Sequence, residues 1–136
     1  MWIMTKKKLD TKLEIKKWDE QPYREFDDGR KFTRAEVALE GTGDGLDTAR
    51  FESLMYYHAD GTSTFISLMH IDGALDDRSG SIVLRTEGRF DGTTASSKSE
   101  VIDATGDLAG LTGTAESSST HDDYPLMPLT LRYELK

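Results

Sequence analysis

The sequence predicts an all-β chain folded as a closed eight-stranded antiparallel barrel. Three observations carry this. Asp60-Gly61 and Asp91-Gly92 flank alternating apolar runs between residues 51 and 93. Asp-Gly pairs in that setting mark tight hairpins, because left-handed backbone is cheap there. Short runs of period two recur along the whole chain with turn residues between them, and no stretch sustains a helical period. Closure is favoured because the strands succeed one another as a meander and closure removes unpaired edges.

In the first strand, Leu9, Thr11, Leu13 and Ile15 alternate with Lys12, Glu14 and Lys16. The stretch Trp18-Asp19-Glu20-Gln21-Pro22-Tyr23 is expected to end it, since Pro22 cannot donate to a central ladder. Trp18 and Tyr23 are expected to plug or flank one barrel end. Lys6-Lys7-Lys8 reads as a solvated strand start rather than a binding patch. After an Asp27-Asp28-Gly29 turn, 31–40 forms a second strand with Ala35, Val37 and Leu39 on one face. Gly41-Thr42-Gly43-Asp44-Gly45 is a loop; with neither a helix nor a lysine following, it is no phosphate cradle.

The meander sets the register. With Asp60 and Gly61 as the two loop residues, Tyr56 faces Phe65, Leu54 faces Ser67 and Glu52 faces Met69. A turn at Asp77-Arg78 sets Met69 opposite Thr86, and one at Asp91-Gly92 sets Thr86 opposite Ser97. Opposed residues share a face, so the predicted lumen is lined by Glu52, Leu54, Tyr56, Phe65, Ser67, Met69, Thr86, Phe90 and Ser97. Arg85, Glu87, Arg89, Lys98 and Glu100 point outward. So do Met55, Tyr57, Ile66, Leu68 and Val83, an apolar stripe that predicts a homo-oligomer, most simply a symmetric dimer. Residues 105–113 form a glycine-punctuated loop, 111–118 a seventh strand and 117–125 a polar loop. Leu129, Leu131, Tyr133 and Leu135 alternate with Thr130, Arg132, Glu134 and Lys136 in the eighth strand.

The 136 residues suffice for one domain, 1–136. A net charge of −8 without a clustered basic face argues against nucleic acid and anionic membrane as partners. The absence of cysteine excludes disulfides and thiolate chemistry. Met1-Trp2-Ile3-Met4 is too short for the apolar core of a signal peptide, and no run reaches membrane-spanning length, so the cytoplasm is the expected location.

Glu52 is the one carboxylate the register places inside, beside Tyr56. A carboxyl group in an apolar lumen would be held protonated to higher pH and could serve as a general acid or base, so Glu52 and Tyr56 are the candidate catalytic residues. The alternative is a structural glutamate bonded to Thr86, a tyrosine or Arg34. His58, His70 and His121 do not assemble, and neither a metal site nor a cofactor is expected. No Gly-x-Ser-x-Gly elbow marks a serine nucleophile.

Trp18-Asp19-Glu20-Gln21-Pro22-Tyr23, Thr33-Arg34-Ala35, Leu54-Met55-x-Tyr57, Asp60-Gly61-Thr62, residues 78–84 and Gly88-x-Phe90-Asp91-Gly92 resemble a bacterial family, domain of unknown function 3224. The Thr-Gly-x-Leu-x-Gly-Leu-x-Gly element at 105–113 is similar to a loop of allene oxide cyclase-type barrels. The resemblance implies an allene oxide cyclase-like barrel, lipocalin-like in shape, with no established activity. Many members of the family carry ionisable residues at the positions of Met69 and Thr86, so an acid-base pair carried over from it would be missing here. Three functions stand open. The first is a barrel binding a small apolar or amphipathic molecule in its lumen. The second is an isomerase or cyclase that folds an unsaturated apolar substrate, with Glu52 or Tyr56 polarising it. The third is a structural or oligomeric module with a filled lumen.

Overall fold

The computed structural model describes residues 5–135; the Met1–Met4 stretch and Lys136 lie outside them. Eight strands follow in order: β1 (Thr5–Glu25), β2 (Lys31–Gly41), β3 (Leu46–Tyr57), β4 (Ser63–Leu75), β5 (Arg78–Phe90), β6 (Thr94–Gly106), β7 (Thr112–Thr120) and β8 (Leu126–Leu135). A 3-10 turn at His121–Asp123 precedes β8. Each strand pairs antiparallel with the next, and β8 returns to β1, so the sheet is a closed barrel. Among the described residues no helix is long and apolar enough to cross a membrane.

The odd-to-even hairpins lie at one end of the barrel, and the even-to-odd connections, with the start of β1 and the end of β8, at the other. The second end is packed shut. Leu13, Leu39, Ile71, Ile82 and Leu131 are buried there at 0–2% exposure. Leu108 and Leu111, from the β6–β7 loop, close it from above and are also buried. Each such side chain removed from water contributes about 1.5–3 kcal/mol. The loop holding them is a run of turns, with Leu108 N donating to Thr105 O (3.2 Å) and Leu111 N to Leu108 O (3.0 Å).

β1 differs from the expected strand. It continues through Pro22 to Glu25, with irregularities between Ile15 and Lys17 and between Pro22 and Arg24. Pro22 is tolerated because β8 leaves β1 at the Glu14–Leu126 pair, and beyond it β1 is laddered to β2 alone among the described residues. The first irregularity has a further consequence. Inward positions before it are Leu9, Thr11, Leu13 and Ile15; after it they are Trp18 and Glu20, opposite the buried Val37 and Ala35.

The mouth end is less completely closed. β6 and β7 stay paired as far as Thr94–Thr120, but β7 and β8 pair only as far as Glu116–Thr130. The segment 121–125 covers the resulting seam, tied to β1 by Ile15 N donating to Pro125 O at 2.7 Å.

The register of β3 against β4 is the main correction. Tyr57 pairs with Ser63, Met55 with Phe65, Ser53 with Ser67 and Phe51 with Met69. The loop is Ala59-Asp60-Gly61 rather than Asp60-Gly61 alone. His58 N donates to Thr62 O (2.8 Å), Gly61 N to His58 O (3.0 Å), and only Gly61 is left-handed, at φ 88°. This is a type I turn closed by a glycine bulge, and its odd loop length turns every β3 side chain to the opposite face. The other two turns shift by even amounts, so their faces stand. Asp76-Asp77 forms the β4–β5 turn with both residues left-handed (φ 52° and 63°), and Phe90 pairs with Ala95.

Candidate functional site

The mouth half of the barrel holds a cavity of about 490 Å³. Phe51, Met55, Phe65, Met69, Leu84, Phe90 and Met127 supply its apolar wall. Its polar wall is hydroxyl-bearing. Ser53, Ser67, Thr86 and Ser99 are successive register partners on β3, β4, β5 and β6. Ser67 Oγ donates to Ser53 Oγ at 2.9 Å, and Thr86 Oγ1 and Ser99 Oγ share a hydrogen bond at 2.7 Å. These bonds satisfy the polar atoms inside the apolar shell. Ser97, Ser117 and Ser119 extend the same wall towards the mouth. Among the described residues the lining includes no Asp, Glu, Lys or Arg.

Of the residues expected in the lumen, the structure brings Phe65, Ser67, Met69, Thr86, Phe90 and Ser97 together around this cavity. Glu52, Leu54 and Tyr56 are not there. Glu52 is exposed, opposite Leu68 on the outer face. Leu54 is 46% exposed and opposite Ile66. Tyr56 packs against Phe32 on the outer face, ring centroids 4.8 Å apart. The one-residue change of register caused by the Ala59-Asp60-Gly61 loop displaces all three, and Met55 and Tyr57, expected outside, line the cavity in their place.

A carboxylate stands at the mouth nonetheless: Glu20. Its Oε1 accepts from Trp18 Nε1 at 3.0 Å. Its Oε2 accepts from Thr33 Oγ1 at 2.9 Å and from the Tyr57 hydroxyl at 2.5 Å. Thr33 is 1% exposed, so this bond anchors the carboxylate to the sheet interior. Burial, and next the bond to Glu20, push the Tyr57 phenol well above its ordinary range. Trp18 and Tyr57 line the cavity, and Trp18 meets Phe51 edge-on at 5.9 Å. Trp18 thus flanks the barrel mouth as expected, whereas Tyr23 lies outside it, 59% exposed and 5.9 Å from the Phe32 ring. Lys31 Nζ sits 4.9 Å from the Tyr57 ring centroid. The sequence carried one signal of Glu20's placement. The apolar phase of β1 passes from odd positions, ending at Ile15, to an even one at Trp18, as a bulge requires.

The histidines remain apart. His121 lines the mouth against Phe90, His58 meets Tyr56, and His70 stands exposed beside Asp72 at 3.6 Å. Among the described residues no group of three His, Cys, Asp or Glu could hold a metal ion.

No curated protein matches this chain. A crystal structure of a protein with unknown function from the DUF3224 family of Shewanella oneidensis MR-1 has the same fold, with a TM-score of 0.72. The alignment shows 22% identity and covers 96% of this chain and 97% of that one. The model of the family "Protein of unknown function (DUF3224)" matches residues 10–133, nearly the whole barrel, and the chain belongs to that family.

Proposed function

We propose that this barrel binds a small apolar or amphipathic molecule in its lumen. The observation that carries the reading is the cavity of about 490 Å³ in the mouth half, walled by aromatic and methionine side chains with a hydroxyl-bearing strip. Ligand sites fall in the range of roughly 300–1,000 Å³ and combine an apolar lining with few polar groups. A module with a filled lumen would pack this half as the other end is packed.

The alternative is a cyclase or isomerase like the allene oxide cyclase-type barrels, acting through Glu52 or Tyr56. Both residues face outward, which favours binding. Native mass spectrometry of freshly purified protein tests it, looking for a co-purifying small molecule at substoichiometric or full occupancy. Ser97→Phe, which inserts a ring into the lumen, should remove that species. Only the mass of the bare chain under gentle ionisation, together with no uptake of a neutral apolar dye, overturns the reading.

A further inference from the structure

We infer that the Glu20–Tyr57 pair recognises a head group that donates a hydrogen bond, so that the lumen takes amphiphilic alcohols or amines in preference to carboxylates and ethers. This rests on the lumen-binding reading and specifies its ligand.

The argument begins with proton direction. A phenol has one proton to donate, and Tyr57 gives it to Glu20 Oε2. Tyr57 lines the cavity, so its oxygen offers the lumen lone pairs only. A carboxylate is likewise an acceptor, and the partners of Glu20 are three neutral donors: Trp18, Thr33 and Tyr57. Deeper in, the hydroxyls of Ser53 and Ser67 and of Thr86 and Ser99 are bonded to each other. The strongest acceptors are therefore concentrated at the mouth, next to an apolar chamber. An amphiphile that buries its tail below and presents a donor above matches both.

Charge points the same way. No Asp, Glu, Lys or Arg lines the chamber among the described residues, so no lining cation stands beside Trp18 and Tyr57, the two lining residues bonded to Glu20. The Trp18 and Tyr57 rings stand beside it, and aromatic faces attract ammonium groups. The formal charge of −8 disfavours the approach of an anion. The opposing group is Lys31, whose ammonium rests over the Tyr57 ring at 4.9 Å rather than on Glu20. Were Lys31 the anchor, carboxylates would be preferred, and the experiment separates the two.

The test uses the full chain and four probes of one tail length: decanol, decylamine, decyl methyl ether and decanoate. Each competes with the neutral dye N-phenyl-1-naphthylamine. Decanol and decylamine should bind about tenfold more tightly than the ether or decanoate, the factor expected for one well-placed hydrogen bond. In Glu20→Gln/Tyr57→Phe, which removes both the carboxylate and the phenol, the ratio of decanol to ether affinity should fall towards one, and a ratio unchanged there overturns the head-group assignment. Equal affinity for all four probes overturns the head-group assignment and leaves lumen binding standing. Decanoate binding best, with that advantage lost in Lys31→Met, overturns it in favour of Lys31. Failure of the dye and all four probes to bind overturns the lumen reading itself.

Discussion

Tyr57 and Glu20 lie 37 positions apart in sequence and share a hydrogen bond of 2.5 Å at the barrel mouth. The bond joins β3 to β1 across β2, which lies between them in the sheet. It forms because each residue sits close to an irregularity of register. Glu20 follows the bulge near Lys16, and Tyr57 stands two positions before the three-residue loop at Ala59-Asp60-Gly61. Thr33, on the intervening β2, completes the cluster.

The two glutamates should respond to mutation unequally. Glu20→Ala leaves the Thr33 and Tyr57 hydroxyls without their acceptor, and an orphaned buried donor costs about 1–3 kcal/mol. Glu52→Gln alters an exposed outer position and should change stability by less than ~0.5 kcal/mol. Urea unfolding of both variants checks this, and equal effects would contradict the register of β3.

Stability should decline in alkali through two tyrosines. The Tyr57 phenol is raised by burial and by Glu20, and that of Tyr133 by burial and by the charge of Asp76. The folded state therefore prefers both phenols neutral, while in the unfolded chain they lose their protons near pH ~10. Their contribution is fully present below that pH and is lost as pH rises towards the folded values. Denaturant midpoints measured from pH 8 to 11 should fall, and Tyr57→Phe should flatten the decline.

Gly88 faces Phe65 across β4 and β5. A Cβ at Gly88 would land on the far edge of the Phe65 ring and lie 2.7 Å from Ser96 O. The ring covers the glycine and forms part of the cavity wall. Gly88→Ala should therefore cost about 1–3 kcal/mol, the usual penalty of overpacking, and should shift the ring within the lumen. Thermal unfolding measures the first effect, and altered dye affinity the second.

The apolar outer stripe is narrower than the sequence implied but remains the basis for proposing a symmetric dimer. Leu54, Ile66 and Leu68 are 46%, 54% and 55% exposed on neighbouring strands, whereas Met55 and Tyr57 have gone inside. Sedimentation at micromolar concentration is expected to show a mass above the 15.2 kDa of one chain. Ile66→Lys with Leu68→Lys should return it to that value; a monomer in the unmodified protein would count against the dimer.

The sequence by itself determined the strand count, the closed meander and the inward faces of β2, β4, β5 and most of β6. There the period-two pattern was strong, and errors in turn position were even, so Met69, Thr86 and Ser97 kept their faces although their partners shifted. Only the tertiary structure decided β3 and the second half of β1. Asp-Gly suits both a two-residue turn with two left-handed residues and a three-residue loop with one. Local chemistry barely separates them, but their parity differs, and parity assigns Glu52 and Tyr56 to water and Met55 and Tyr57 to the lumen. β3 reads Phe51-Glu52-Ser53-Leu54-Met55-Tyr56-Tyr57, with apolar residues on both faces, so its own pattern could not arbitrate. Packing against the inward Ser67 and Met69 of β4 did. Glu20 was obscured in the same way, because one extra residue in β1 exchanges inside for outside and the sequence records it only as a change of phase.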